Sequence, residues 1–326
     1  MIATAPPFSI QPPISTYQYN AFALGAIPRP DLDTVVDNNF IQLAAQENLA
    51  DQVIPICFLP LISPVNYSAC KLGLKLNYAP KSAGELLQAL RSSLSKGFLI
   101  RLLVDDYYIP DRWTFGKTHR LHDILVVDHA GDDSFLLAGY RADDRYGFST
   151  CTYAALASGY SATASQVGEN GFIAFRYFAS AAPEPDLRRM KEHLGCLLSS
   201  RAIAEEKTPS GAKLGLGLHG LAVFEAIDAY IGGVKPGQYI DKRVFYLLAE
   251  HAKAMQERSL RVQRSRGGPE LQRIPGEARE VAGQLAFMSL RRGANRSSSY
   301  MDTMRTLCRR LKEHTRMAAE HLYEQL

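Results

Sequence analysis

The sequence predicts an α+β protein, with an antiparallel sheet and a few helices first and an all-helical unit after it. Three observations carry this. Between Gly97 and Tyr177 short apolar runs alternate with polar turns at strand spacing. From Asp186 onward apolar residues recur at intervals of three and four, the helical period. Between the two, Ala179-Ser180-Ala181-Ala182-Pro183-Glu184-Pro185 fits neither pattern. The expected domains are therefore 1–183, α+β with a proline-rich N-terminal arm, and 184–326, helical.

The elements follow in order. Residues 1 to about 30 hold Pro6, Pro7, Pro12, Pro13, Pro28 and Pro30, and proline's fixed φ predicts an extended arm. Asp37 to Glu47 reads as the start of a helix. Asp or Asn would cap its amides, and Phe40, Leu43 and Ala44 recur at helical spacing. Residues 52–60 look extended, Leu72 to Tyr78 alternates as a strand does, and Ala83 to Ser95 is an amphipathic helix after Lys81 and Ser82. Gly97 to Tyr108 is a buried strand with a polar tip, followed by a loop with Pro110, Trp113 and Gly116. His122 to His129, Ser134 to Tyr140 and Gly147 to Tyr153 then make an antiparallel meander through the turn Ala130 to Asp133. Ala154 opens a short helix, and Gly171 to Tyr177 is one more strand. Helices are predicted over 186–206, 217–232, 240–263 and 276–324, with Gly267-Gly268-Pro269 before the last and an interruption near Gly293. The glycine-rich run Gly211 to Gly220 lacks a GK[ST] ending and reads as a hinge, not a phosphate loop.

Composition narrows the function classes. The chain has 326 residues, 46% hydrophobic and 21% charged, which is ordinary for a soluble globular protein. Lys plus Arg is 37 and Asp plus Glu is 33, a net +4. That balance is too mild to point to nucleic acid or a membrane surface. No stretch approaches the roughly 18–20 apolar residues that span a bilayer, and the start has no basic n-region of a signal peptide. Five cysteines, at 57, 70, 151, 196 and 308, include no CxxC pair. An odd, irregular set argues against a secreted disulfide framework and a local zinc site. The expectation is a cytoplasmic protein with no metal and no cofactor.

A helix N-terminus beside a meander of strands is one way to assemble a Cys–His–Asp site. The helix dipole lowers the thiol pKa, the His moves the proton, and a third group orients its ring. His122, at the start of a strongly apolar strand, is the base candidate; the alternative is a ring that bonds a loop carbonyl and packs the strand end. The helix start at Asp37 has no Cys, and Cys57 and Cys70 lie downstream in proline-punctuated apolar surroundings, where a thiol is commonly a small hydrophobe. Asp123 would face away from His122. Asp105-Asp106-Tyr107-Tyr108 is a second polar cluster, in which neighbouring carboxylates raise one pKa, or in which one caps the loop and pairs with Arg112, Lys117 or His119. The candidate catalytic residues are His122, Asp106 and Tyr108. The candidate substrate contacts are Asn38, Asn39, Tyr107, His119 and Cys57. Arginines accumulate from Arg258 to Arg316, including Arg264, Arg266, Arg291, Arg292, Arg309 and Arg310. They read as solvated helix faces or as a docking face for an acidic partner.

Several pieces occur together in order: Asn38-Asn39-Phe40-Ile41-Gln42-Leu43, Val104-Asp105-Asp106-Tyr107-Tyr108-Ile109-Pro110, His122-Asp123-Ile124-Leu125-Val126, Phe135 to Tyr140, and Asp241-Lys242-Arg243-Val244-Phe245 to His251. Together they resemble the butirosin biosynthesis protein H N-terminal family, over roughly residues 35 to 265. The order and spacing carry the resemblance; no single motif does. It implies a papain-like α+β domain and a place in nonribosomal-peptide or polyketide biosynthesis. It also implies an enzyme that acts on an acyl or peptidyl thioester held by a carrier protein, through acyl transfer, condensation, cyclisation or release. A small-molecule amine or acyl intermediate would be the other partner. His122 matches the position of the papain-like His. The nucleophile position falls in or near Asp37 to Asn39, with no Cys, and the acidic position near Ala138-Gly139, with no carboxylate. The alternative is a non-catalytic accessory or scaffold that binds a synthetase or carrier protein. Both readings leave a homodimer open, and neither calls for nucleic acid or a membrane.

Overall fold

Alternating apolar residues and tight turns between Gly73 and Tyr177 build a mixed α+β unit in a computed structural model of the chain. The structure describes residues 8–50, 52, 54–68, 70–167, 171–179, 184–203, 216–235, 238–266, 273–290 and 297–326. The chain clusters into two compact units, Met1–Leu32 with Ile62–Ala182, and Asp33–Leu61 with Pro183–Leu326.

In the first unit the elements are α1 (Gln18–Gly25), β3 (Gly73–Tyr78), α3 (Ala83–Ser95), β4 (Leu99–Asp105), a 3-10 turn (Asp106–Tyr108), β5 (Leu121–His129), β6 (Ser134–Tyr140), β7 (Tyr146–Thr152), α4 (Tyr153–Val167) and β8 (Phe172–Tyr177). Among the described residues these strands form one sheet in the order β3-β8-β4-β5-β6-β7, antiparallel throughout. Residues two apart along a strand share a face. Ile100, Leu102 and Val104 of β4, Ile124 and Val126 of β5, and Phe135 and Leu137 of β6 thus pack with Leu86, Leu90 and Leu94 of α3 and Leu156 and Tyr160 of α4. α3 starts where expected: Ser82 Oγ accepts from the Glu85 N–H (3.2 Å), and the Glu85 carboxylate reaches back to the Lys81 N–H (2.9 Å).

Two sequence expectations are corrected here. The proline-rich N-terminal region is not an extended arm throughout, because α1 lies within it. Nearly every α1 residue is buried, so it has no polar face to betray a helical period. Pro28 and Pro30 sit at the entrance to α2 (Arg29–Asn38), where a missing N–H costs nothing. The second correction follows from α2. Asp37 and Asn38 end a helix instead of starting one, Phe40 turns the chain at φ 49°, and Gln42–Ala45 is a strand, β1, buried on both faces.

β1 pairs antiparallel with β2 (Ile56–Leu59) and with β9 (Leu218–His219). This pairing places residues 33–61, assigned to the first domain by sequence, with the helical unit. That unit further holds α5 (Leu187–Ser199), α6 (Ala222–Gly233), α7 (Lys242–Arg266), α8 (Arg273–Ser289) and α9 (Ser298–Gln325). The helix expected over 217–232 therefore begins as a short strand. The boundary at Pro183, Gly211 to Gly215 of the predicted hinge, Gly267-Gly268-Pro269 and Gly293 lie outside the described residues. No helix among those described is long and apolar enough to cross a membrane.

The β3–β8 pairing gives a first prediction. A Cβ on Gly73 would land on the Arg176 carbonyl oxygen and 2.6 Å from Cε1 of the buried Tyr67. Neither backbone nor a packed ring can yield cheaply. Gly73→Ala is expected to cost this unit at least about 1–3 kcal/mol. Gly84→Ala, with nothing within 4 Å of the added methyl, is expected to be neutral or mildly stabilising. Urea unfolding followed by fluorescence of Trp113, the chain's single tryptophan, checks both.

Candidate functional site

The polar tip of β4 is where the first unit gathers its titratable groups. Asp105 ends the strand and caps the following turn. Its carboxylate accepts from the Tyr107 N–H (3.1 Å), the Arg120 N–H (3.0 Å) and the His119 ring (2.7 Å). Burial alone would raise its pKa, but these bonds outweigh burial and hold it below the ordinary value. Tyr107 stacks on the His119 ring (centroids 4.3 Å apart), and Tyr108 meets Tyr107 edge-on at 5.1 Å.

Asp106 has the opposite surroundings. It is 2% exposed, and among the described residues its Oδ1 has no hydrogen-bond partner. Its Oδ2 lies 3.7 Å from Nδ1 of His122. Burial pushes its pKa up to about 6; Arg112 and Arg120 pull it down, while Asp105 and Asp123 push it up.

His122 sits on β5 opposite Val104, with its ring 30% exposed. Nε2 of Gln18, the first residue of α1, is 3.1 Å from His122 Nδ1 and 2.5 Å from the Asp123 carbonyl oxygen. A nitrogen that meets a carbonyl must donate, so Nδ1 accepts the amide's other proton and the ring's own N–H is on Nε2. Burial lowers the His122 pKa to about 4, Arg120 and Arg112 add to that, and Asp123 opposes it. The ring is therefore neutral at pH 7. Asp123 faces away, as the strand period requires, and pairs with Arg101 at 2.5 Å.

A fourth group completes the cluster. In the loop after the 3-10 turn, Arg112 and Thr114 are buried while Trp113 and Phe115 are exposed. Arg112 Nη1 donates to the Tyr140 carbonyl. Gly139 makes room for it: a Cβ there would stand 2.8 Å from Nη2. Arg112 Nε and Nη2 and Thr114 Oγ1 have no partner among the described residues.

The structure thus brings His122, Asp106, Tyr107, Tyr108 and His119 into one unit, the last three around Asp105. It does not bring Asn38, Asn39 or Cys57 there. These three lie in the other unit, for physical reasons of their own. Asn38 donates to the Glu184 carbonyl (2.8 Å) and accepts from the Asp186 N–H (2.9 Å). Asn39 accepts from Arg189 at 3.3 Å. Cys57, on β2, is 1% exposed and packs among Ala44, Leu59, Cys196 and Ile203. Burial raises the thiols of Cys151, to about 11, and of Cys308, to about 12, so neither is a ready nucleophile. The helix N-terminus that meets His122 is that of α1, and it presents an amide.

Several of the C-terminal arginines pair with carboxylates within the helical unit. Arg305 and Arg309 both bond Asp228, at 3.0 and 3.1 Å, and Arg316 bonds Glu313 and Glu320, at 2.9 and 2.8 Å. Arg258 is fully buried. Arg291 and Arg292 lie outside the described residues. Among those described, no three His, Cys, Asp or Glu side chains are placed to hold a metal ion.

Sequence reasoning missed Gln18; it named Arg112 only as a possible partner of the aspartates, and Gly139 only as a position without a carboxylate. The in–out alternation from Arg112 to Phe115 was a usable signal, and so was a glycine inside a strand pattern. Nothing in the sequence singled out Gln18. Compared with known proteins, the chain matches no family model and no curated sequence.

Proposed function

We propose that this chain binds an acyl or peptidyl intermediate on a carrier protein without bonding to it covalently, as a non-catalytic relative of the butirosin biosynthesis protein H N-terminal family. Its first unit is read as papain-like. The observation that carries the reading is the Gln18–His122 pair. Thiolate chemistry needs a sulfur at the helix N-terminus facing the imidazole, and an amide nitrogen stands there instead. The imidazole is also a weak base. Its conjugate acid is depressed to about 4, and Nδ1 is engaged by Gln18.

One observation favours a second reading, non-covalent acyl transfer. Asp106, moved to about 6, is better matched than His122 to proton transfer near neutral pH. A thioester is already activated, so positioning an acceptor amine beside a base suffices for turnover.

The test is incubation with acyl-loaded carrier protein and an amine, with products read by mass spectrometry and complex formation by light scattering. Wild type is set against His122→Ala and Asp106→Asn. Binding by wild type with no product from any form is expected. Turnover that Asp106→Asn abolishes, in a folded variant, establishes the second reading and overturns the first. Neither binding nor turnover overturns both.

A further inference from the structure

We propose that Arg112 is a carboxylate-binding residue, taking a planar monoanionic carboxylate side-on through its vacant Nε and Nη2. The inference goes beyond the carrier-protein reading and stands without a carrier protein.

Arg112 is 5% exposed and Thr114 is wholly buried. A guanidinium taken out of water needs its donors satisfied. Only Nη1 is, by the Tyr140 carbonyl. Nε and Nη2 form one edge of the guanidinium, and two parallel N–H groups on one edge match the two oxygens of a carboxylate. Elsewhere in this chain the same edge does this: Arg261 Nε and Nη2 each meet an Asp37 oxygen at 2.7 Å. At Arg112 the edge is offered to no carboxylate of the described residues.

Charge selects the ligand class. The groups that face Asp106 are Arg112 and Arg120 from the loop, Asp105 from the end of β4, and His122 and Asp123 from β5. With Asp106 protonated, Asp105 and Asp123 balance Arg112 and Arg120, so an added single negative charge beside Arg112 meets less repulsion than it does when Asp106 is ionised. A dianionic phosphate would meet more repulsion. Gly139 supports the same role, since any side chain there would displace the guanidinium.

Arg112 is shielded in this structure, so a ligand gains access when the loop that carries it moves. The residues that bound this stretch, Asp111 (φ 61°) and Gly116 (φ 64°), both sit at positive φ. Asp111 stays tied to Arg141 at 2.8 Å.

The experiment is a Trp113 fluorescence titration of the full chain with acetate and benzoate, with inorganic phosphate and chloride at matched ionic strength. Wild type is expected to saturate with the carboxylates and not with phosphate or chloride. Arg112→Met should abolish saturation, and Arg112→Lys, which keeps the charge but loses the paired edge, should weaken it about tenfold. Asp106→Asn should tighten binding and remove its pH dependence, which in wild type falls by up to about tenfold per pH unit above pH 6 as Asp106 ionises. Asp106→Asn keeps the test decisive if Arg112→Met fails to fold. The proposal is overturned if no carboxylate saturates wild type, if phosphate binds as tightly, or if Arg112→Lys and Asp106→Asn both titrate as wild type does. An Arg112 that only neutralises Asp106 gives the first of these outcomes.

Discussion

Arg258→Met will destabilise the helical unit by about 3–5 kcal/mol, the cost of removing one partner from a buried charged cluster. Arg258 is fully buried. Its Nη2 donates to the carbonyls of Val36 (2.7 Å) and Asn39 (2.8 Å), and its Nε to that of Asp37 (3.1 Å). These are carbonyls at and just beyond the end of α2, where the helix runs out of N–H donors. One side chain of α7 therefore closes the C-terminus of another helix and places a positive charge at its negative pole. Methionine fills much of the same volume but takes the guanidinium from the buried Asp37 and Asn39 carbonyls, each worth about 1–3 kcal/mol, while the Val36 carbonyl keeps the Asn39 N–H (3.3 Å). Lysine keeps the charge but cannot spread it over three carbonyls, so Arg258→Lys should recover only part of the loss. Urea unfolding followed by far-UV circular dichroism measures both. A loss below about 1 kcal/mol for the methionine variant would show that water satisfies those carbonyls.

The same cluster shows why one part of the fold was unreadable in the sequence. Phe40, Leu43 and Ala44 have helical spacing and follow Asp37 and Asn38, so local rules favour a helix start. The outcome is reversed by partners far along the chain. Arg258 terminates α2, the His251 ring bonds the Ile41 carbonyl at 2.9 Å, and β9 pairs with Ala44 and Ala45. A four-residue strand buried on both faces has no alternation to display. α1 failed for a related reason: a helix buried all round carries no amphipathic signal. The meander, by contrast, was legible strand by strand, since β5 and β6 are apolar runs joined by the turn at Ala130 to Asp133 and β7 follows within short range. α3 was legible to its ends, because Ser82 and Glu85 cap it locally.

The site divides the same way. Asp105, Asp106 and His122 could be picked out because polar residues at the ends of apolar strands are conspicuous. Which of two adjacent aspartates is solvated, capped or stranded could not, since that depends on Arg120, His119 and Arg112 arriving through the loop. Asn38 and Asn39 were conspicuous for the same reason and proved to tie the chain around Glu184, Asp186 and Arg189. Polarity at an element's end marks a junction, and only tertiary structure separates a junction that binds a ligand from one that binds the backbone.

The electrostatics of that junction make the second large prediction. An ordinary aspartate has a pKa of about 3.9, and Asp106 has one of about 6 in the folded protein. Between these values the folded state binds more protons than the unfolded one, so this group's contribution falls as pH rises. About two pH units at 1.36 kcal/mol each leave a deficit of about 3 kcal/mol above pH 6. His122 works against it: an ordinary value of about 6.5 drops to about 4 on folding, so the unfolded state binds more protons and stability rises over nearly the same window. In wild type the two slopes nearly cancel. Asp106→Asn removes only the falling one. The variant should match wild type near pH 4, gain steadily, and be about 3 kcal/mol more stable above pH 6, as read by Trp113 fluorescence in urea. A variant less stable than wild type at pH 7 would mean that the Asp106 charge is paired more strongly than its surroundings indicate. A stabilising substitution at the centre of the polar cluster would mark Asp106 as a residue kept at a cost to folding, which is the pattern expected where a buried charge serves binding or proton transfer.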